Sequence, residues 1–475
     1  MASTVADVDL RPFFKPRSIA LIGASADPLS ISARPLRMLA QHGYAGELYP
    51  VNPKYAELLG RPVFPSIGAV PSKVDLALVA VPAPLVPATL DECASAGVQY
   101  AVVLSSGFAE SGPEGARLQD AVAAVSARST LRVCGPNSEG FFSPVAGVCA
   151  TFSPVVDHDC GFQPSPPGPL AVVAQSGGIG FGILNRGRER GLGFGAVVST
   201  GNEVDLEWLD YVDYLLDDPT VRVVLGFLEG LRDARRLPEV ARKAARLRKP
   251  LVVAKIGRSE AAARAAVSHT GSLVGSEVAY ATKFRQLGIL RVDGVDEMLD
   301  LAAYFCVGRL PLGPRVAILT TSGGAGAWLA DTCAARGLEL PPPEPDLQAD
   351  IRSFIPSYGS VANPVDITAQ AVFSGGFERA LGLLACSPGF DAVACVGSLV
   401  REESSLRSLA DLRRVTQQSD AALVFYSYTQ PSQAVISGLA ELGIPCYPTP
   451  ESTARALASA AWYRAAIERQ RGDDA

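Results

Sequence analysis

Three stretches of the chain read strand, glycine turn, helix. Gly23-Ala24-Ser25 follows the apolar run Ser18–Ile22, and Ser176-Gly177-Gly178 follows Leu170–Ala174, with Gln175 between. Ser322-Gly323-Gly324 follows Arg315–Thr320, and the last two turns share the pattern S-G-G-x-G with a glycine stop after the helix. A turn of this kind presents backbone N–H groups at the positive end of a helix dipole, where phosphate binds. Glycine lets the backbone approach such a ligand closely. A single turn of this form is usually an ordinary connection, but three of them, two nearly identical, favour phosphate handling. Neither G-x-G-x-x-G nor G-x-x-x-x-G-K-[ST] occurs at these turns, which weakens dinucleotide and P-loop readings.

A second candidate is His269, in Ser268-His269-Thr270-Gly271-Ser272. Its small polar flanks suit an exposed loop. It follows the strand Pro250–Lys255, which places it near the same sheet edge as Ser176-Gly177-Gly178. A neutral imidazole is a nucleophile able to carry a phosphoryl group. The resulting dianion would be stabilised by two helix N-termini. Glu229 ends the strand Val221–Phe227 and could hold the ring in one tautomer. His42 and His158 lack such surroundings and read as surface or loop residues. Three scattered histidines and nine cysteines without a CxxC pair give no metal site.

The first third of the chain adds a rim of strand ends: Val51-Asn52-Pro53-Lys54, Val81-Pro82, Ser105-Ser106-Gly107-Phe108 and Pro136-Asn137. Each alone is an ordinary turn. Together they line the carboxyl edge of one sheet, where ligands of open α/β folds collect. Lys54, one of few lysines, could meet a phosphate there.

These residues need a scaffold of alternating strands and helices. Short apolar runs also occur at Leu76–Val81, Tyr100–Leu104, Gly195–Ser199, Ala392–Gly397 and Ala421–Tyr426, with helical stretches between most of them. Such alternation implies an α/β fold with parallel sheets. Proline-rich stretches at Asp159–Pro169 and Leu310–Pro314 divide 475 residues into domains near 1–155, 165–305 and 312–475. Hydrophobic residues at 48% and charged residues at 19% are an ordinary globular balance. A net charge of -6 without a long basic stretch argues against nucleic acid as a partner. The apolar runs are strand-length, too short for a membrane span, and no secretory signal is visible. The cysteines therefore read as reduced thiols of a cytoplasmic protein.

Ordered along nearly the whole chain are SIALIGASAD (Ser18–Asp27), VNPK (Val51–Lys54), SSGFAE (Ser105–Glu110), GPNSEGFF (Gly135–Phe142), QSGGIG (Gln175–Gly180), GNEVD (Gly201–Asp205), Leu228-Glu229-Gly230, SHTGSL (Ser268–Leu273), SGGAG (Ser322–Gly326) and NPVDIT (Asn363–Thr368). In these motifs the chain resembles the α subunit of an ADP-forming acyl-CoA synthetase of the acetyl-CoA type, in the succinyl-CoA synthetase superfamily. The resemblance implies an N-terminal Rossmann-like CoA-binding domain followed by two flavodoxin-like domains. Coenzyme A would be held through Gly23–Ser25, Lys54 and the strand-end loops. His269 would be phosphorylated, with Glu229 beside it and the two S-G-G turns cradling the phosphate. The reaction implied interconverts acyl-CoA, ADP and phosphate with a carboxylic acid, CoA and ATP, through an acyl phosphate. Ser138 stands where the family usually has cysteine, and Ser25–Leu36 lacks the usual lysine and glycine after its proline. With no ATP-grasp segment in the sequence, ATP or ADP with Mg2+ would sit on a separate ATP-grasp β chain, in a hetero-oligomer or around a homodimer. The competing readings are a CoA-binding regulatory protein and a CoA-dependent acyltransferase acting without nucleotide.

Overall fold

The computed structural model describes residues 8–259, 277–372 and 374–473. His269 and its flanking residues lie outside the described residues. The strands expected from the sequence are all present, with ends shifted by a residue or two. The chain divides into two compact units, Met1–Asp293 and Gly294–Ala475.

The first unit carries two sheets. One holds β1 (Ser18–Ile22), β2 (Glu47–Val51), β5 (Leu76–Val79), β6 (Tyr100–Val103) and β7 (Arg132–Cys134); β3 (Glu57–Leu58) and β4 (Arg61–Pro62) form a small separate hairpin. Its order is β2-β1-β5-β6-β7, all parallel. The central strands, IALI, LALV and YAVV, are apolar on consecutive residues because helices cover both faces. The chain reverses direction of growth between β1 and β5, which opens a crevice at their carboxyl ends.

The other sheet of this unit contains β8 (Gly140–Ser143), β9 (Val148–Thr151), β10 (Leu170–Ala174), β11 (Phe194–Ser199), β12 (Val223–Leu228), β13 (Leu251–Lys255) and β14 (Leu290–Val292). Its order is β14-β13-β12-β10-β11-β8-β9. Strands β10 to β14 run parallel, while β8 and β9 form an antiparallel hairpin on the edge. The expectation of parallel sheets did not include that hairpin, whose strands are separated by only a short turn.

The second unit has one parallel sheet, β16-β15-β17-β18-β19, from β15 (Val316–Thr320), β16 (Val365–Asp366), β17 (Ala392–Gly397), β18 (Ala422–Ser427) and β19 (Cys446–Tyr447). The helix Val295–Val307 belongs here, where Tyr447 Oη donates to Asp300 O at 2.8 Å.

Within the first unit the segment Gly201–Leu206 helps to stitch the two sheets together. Asn202, Val204 and Leu206 donate backbone N–H groups to Pro136, Gly135 and Val133, at 2.9, 3.0 and 3.1 Å. Arg132 grips the Asp205 carboxylate with Nε and Nη2, and Val133 N–H donates to the same group. In the middle of this segment Glu203 is 3% exposed and has a left-handed φ of 56°. Its Oε1 accepts from Thr200 Oγ1 at 2.6 Å and from Trp208 N–H at 3.1 Å. Burial pushes its carboxyl pKa up to about 8, more than these hydrogen bonds restore.

Glu203 is therefore protonated at neutral pH in the folded chain and ionised in the unfolded one. Below the ordinary glutamate pKa both states hold the proton, and this residue makes no pH-dependent difference. Between that value and about 8 only the folded state holds it, so stability falls as pH rises. The isosteric change Glu203→Gln should flatten that decline, raising the melting temperature at pH 8 more than at pH 5. Equal shifts at both pH values would contradict a protonated Glu203.

Candidate functional site

At the crevice of the first sheet, Gly23 takes φ 92°, and a Cβ there would come 2.6 Å from Ala80 O. Only glycine fits this turn. Its N–H donates to Val51 O at 2.9 Å, and Asn52 Nδ2 donates to Ala24 O at 2.7 Å. Asn52 Oδ1 accepts from Lys54 N–H at 2.9 Å. One side chain thus ties the first turn to the Val51–Lys54 strand end. Ser25 Oγ is occupied by Asp27 N–H at 3.1 Å.

The other expected rim residues converge differently. Ser105 Oγ donates to Val81 O at 2.5 Å, and Asn137 N–H donates to Ser105 O at 2.9 Å. Gly107 and Phe108 N–H groups are both spent on Glu110 Oε1, at 2.7 and 3.0 Å. Phe108 is fully buried. These two residues therefore position the loop and do not present free amides to a ligand, a distinction that spacing alone does not make. Burial pushes the Glu110 carboxyl up, but the Phe108 N–H, Asn202 and Gly107 hydrogen bonds together bring it below the usual range. Asn202 Nδ2 reaches Glu110 Oε2 at 2.6 Å and Gln119 Oε1 at 2.9 Å, while Asn137 Nδ2 reaches Asn202 Oδ1 at 3.3 Å. Glu110 and Asn202 thus couple the strand ends of both sheets. Both lie inside quoted motifs, yet their partnership depends on residues far apart in sequence.

The carboxyl edge of the second sheet gathers Gln175, Ser176, Gly177, Gly178, Glu229 and Lys255. Gln175 is the hinge pin. Its Oε1 accepts from the N–H groups of Glu229 at 2.5 Å and Gly230 at 3.1 Å, and its Nε2 donates to Gly230 O at 2.7 Å. The end of β12 is thereby fixed against the start of the helix Gly177–Glu189. Ser176 is the N-cap of that helix but makes no side-chain capping bond. A Cβ on Gly177 would meet Glu139 Cβ at 2.3 Å, whereas one on Gly178 would face open space. Glu229 is 6% exposed at this rim.

Lys255 was not singled out by the sequence patterns, yet it is 1% exposed at the end of β13. Its Nζ donates to Ile256 O at 2.5 Å and stands 4.7 Å from the Tyr280 ring centroid. Tyr280 Oη accepts from Leu231 N–H at 3.0 Å, which links Lys255 to the Glu229 loop. Burial brings the Lys255 pKa down to about 8, against the pull of Glu277 and Glu229.

The second unit repeats this design. Ser322 is the N-cap of Gly323–Ala335, again without a side-chain capping bond. Thr320 Oγ1 accepts from Ser322 N–H at 3.0 Å and donates to Ser322 O at 2.8 Å, which fixes the turn. Gly323 lies against a carboxylate, with Asp366 Oδ2 at 3.0 Å from a Cβ placed there, and Gly324 faces open space. Asn363 Oδ1 accepts from Ile318 N–H at 2.9 Å, and its Nδ2 donates to Val316 O at 2.8 Å, anchoring the Asn363–Thr368 loop to β15. Each unit therefore offers an uncapped helix start with one glycine locked and the next open.

Three family models match in chain order: a CoA binding domain over residues 17–143, a succinyl-CoA ligase like flavodoxin domain over 167–305, and a Ligase-CoA domain over 316–388. The α subunit of acetate–CoA ligase [ADP-forming] II from Pyrococcus furiosus is 35% identical, covering 94% of this chain and 95% of that one. Acetate–CoA ligase [ADP-forming] I from Archaeoglobus fulgidus is 38% identical over 81% of this chain but only 54% of its own length. Among solved structures, the dinucleotide-forming acetyl-coenzyme A synthetase 1 of Ca. Korarchaeum cryptofilum, in complex with phosphate and ADP, is 32% identical, with a TM-score of 0.86 over 98% of this chain and 99% of that one. The motif order, the paired S-G-G turns and this near full-length similarity agree: the chain belongs to the family of ADP-forming acyl-CoA synthetases, as a chain of the α-subunit type.

Proposed function

We propose that this chain performs the CoA-binding and phosphoryl-relay half of acyl-CoA + ADP + phosphate ⇌ carboxylic acid + CoA + ATP. The observation that carries this reading is the uncapped start of helix Gly177–Glu189, pinned by Gln175 beside Glu229. A phosphate there meets first-turn N–H groups and the positive end of a dipole, each such charge-assisted contact worth about 1.5–3 kcal/mol.

Coenzyme A docks at the first sheet along Gly23, Ala24, Ser25, Val51–Lys54, Val81-Pro82 and the Ser105–Phe108 and Pro136-Asn137 loops, with Lys54 meeting a phosphate. Domains near 1–155, 165–305 and 312–475 divide the labour. Phosphate oxygen attacks the thioester carbonyl; the C–S bond breaks, and CoA leaves as a thiol after gaining a proton. The acyl phosphate then yields its phosphoryl group to His269: an N–P bond forms, the P–O bond to the acyl group breaks, and the carboxylate departs. Glu229 orients the imidazole by holding it in one tautomer. The Ser176 and Ser322 turns bind the phosphohistidine. ADP, ATP and Mg2+ are handled by a separate ATP-grasp β chain, a reading supported by the α-subunit names of the Pyrococcus relatives. The substrate is a small carboxylic acid. The unpaired cysteines suit a reducing cytoplasm, and among the described residues no helix is long and apolar enough to cross a membrane.

A complex isolated through a tag on this chain and incubated with ATP and magnesium should contain a second chain of ATP-grasp type. Peptide mass spectrometry should find one added phosphoryl group on the peptide holding His269, absent in His269→Ala. Label that persists in His269→Ala would overturn the relay.

The two glycines of the turn should respond oppositely. Gly177→Ala forces its methyl against Glu139 and should lower stability by about 1–3 kcal/mol in thermal melts. Gly178→Ala should leave the melting temperature unchanged or higher, yet slow phosphorylation about tenfold because its methyl occupies the approach to the N–H groups. Full-rate phosphorylation in Gly178→Ala would place the phosphate elsewhere.

A further inference from the structure

Both S-G-G turns carry a carboxylate beside their first glycine. At the Ser176 turn it is Glu139: a Cβ on Gly177 would stand 2.3 Å from Glu139 Cβ and 2.6 Å from its Oε2. At the Ser322 turn, within the second unit, it is Asp366, with Oδ2 at 3.0 Å from a Cβ on Gly323 and Oδ1 accepting from Thr368 N–H at 2.9 Å. At each turn the second glycine, Gly178 or Gly324, faces open space. An anion approaching either helix start from its open side therefore finds a negative group already seated on the other.

Glu139 is kept in place by its backbone. It connects the Pro136-Asn137 loop of the first sheet to β8 of the second. Its N–H donates to Ser199 Oγ at 3.0 Å, and its carbonyl accepts from Thr151 Oγ1. Its neighbour is tied down as well: Ser138 Oγ donates to Ser199 O at 2.6 Å and accepts from Gly140 N–H at 2.9 Å. With both flanks fixed, the Glu139 Cβ stays against Gly177, and only the carboxyl end can turn.

That carboxyl end is partly exposed and meets the Ser153 hydroxyl. Among the described residues it forms no ion pair, so no described cation cancels its charge. Burial pushes its pKa up, against the pull of Ser153. A phosphate at the turn leaves two outcomes, both unfavourable: two negative groups side by side, or a proton drawn from solvent onto the carboxylate. Either one subtracts from the attraction of the helix N-terminus.

We propose that Glu139 keeps the grip on inorganic phosphate loose. Its carboxylate opposes an anion held at the Ser176 turn, so that phosphate, a product when the reaction runs toward acyl-CoA, leaves the site instead of lingering there. The inference rests on the phosphate reading of that turn given above.

Isothermal titration of the isolated complex with inorganic phosphate tests it. Glu139→Gln keeps the shape of the side chain, removes its charge, and should bind phosphate about tenfold more tightly than the unmodified complex. Glu139→Asp retains the charge and should stay within about threefold of the unmodified value. Gly178→Ala, which fills the open approach, should bind about tenfold more weakly. Thermal melts confirm folding, and Glu139→Ser carries the test if Glu139→Gln is unstable. If Gly178→Ala weakens binding while Glu139→Gln leaves it unchanged or weaker, the turn holds phosphate but Glu139 does not oppose it, and this proposal alone falls. If both variants bind as the unmodified complex does, phosphate sits elsewhere, and the reading of the turn falls with it. Absence of saturable binding in the unmodified and Glu139→Gln complexes alike would also overturn the proposal.

Discussion

One side-chain amide sets the geometry of the proposed phosphate site. Gln175 stands between β10 and its helix and holds the backbone of Glu229 and Gly230 with three hydrogen bonds. That clamp, with the Leu231 N–H bond to Tyr280 Oη, holds the loop after β12 against the helix start. With it, the backbone of Glu229 is held beside an uncapped helix N-terminus. Parallel sheets supply the rest, since they bring every strand-to-helix turn to one edge.

The titratable groups buried in the first unit carry an energetic cost. Lys255 and Glu203 are almost wholly enclosed, and both are shifted to about 8, the lysine downward and the glutamate upward. Each shift expresses a preference of the fold for the neutral form. Such groups survive in a core when they are hydrogen-bonded, and both are: Glu203 by Thr200 and Trp208, Lys255 by the Ile256 carbonyl. Functional edges collect groups of this type because incoming charge can repay their desolvation.

Much of this architecture is legible in the sequence because its signals are local. Runs such as IALI and LAVVA are apolar on consecutive residues, and the S-G-G-x-G turns announce helix starts, so strand ends and turn residues fall where periodicity puts them. The β8–β9 hairpin was not legible, since its apolar residues continue past the end of the first sheet without a long break. Nor was the fate of individual amides. Gly107 and Phe108 look like ligand donors in a strand-end loop, but Glu110 claims both. Similarly, Lys255 reads as the last residue of a strand, and only three-dimensional packing reveals its enclosure. The paired histidines are the clearest case: His42 and His158 are more than a hundred residues apart, and no spacing rule brings them together.

The central claim is that Gln175 acts through Glu229 to shape the site where the phosphoryl group is received. A double-mutant cycle tests it most directly, combining Gln175→Leu with Glu229→Gln and reading the rate of protein phosphorylation in the isolated complex. If the two residues form one unit, the double variant should be little slower than the slower single variant. Rate losses that simply multiply would mean that the clamp and the carboxylate work independently, contradicting the account.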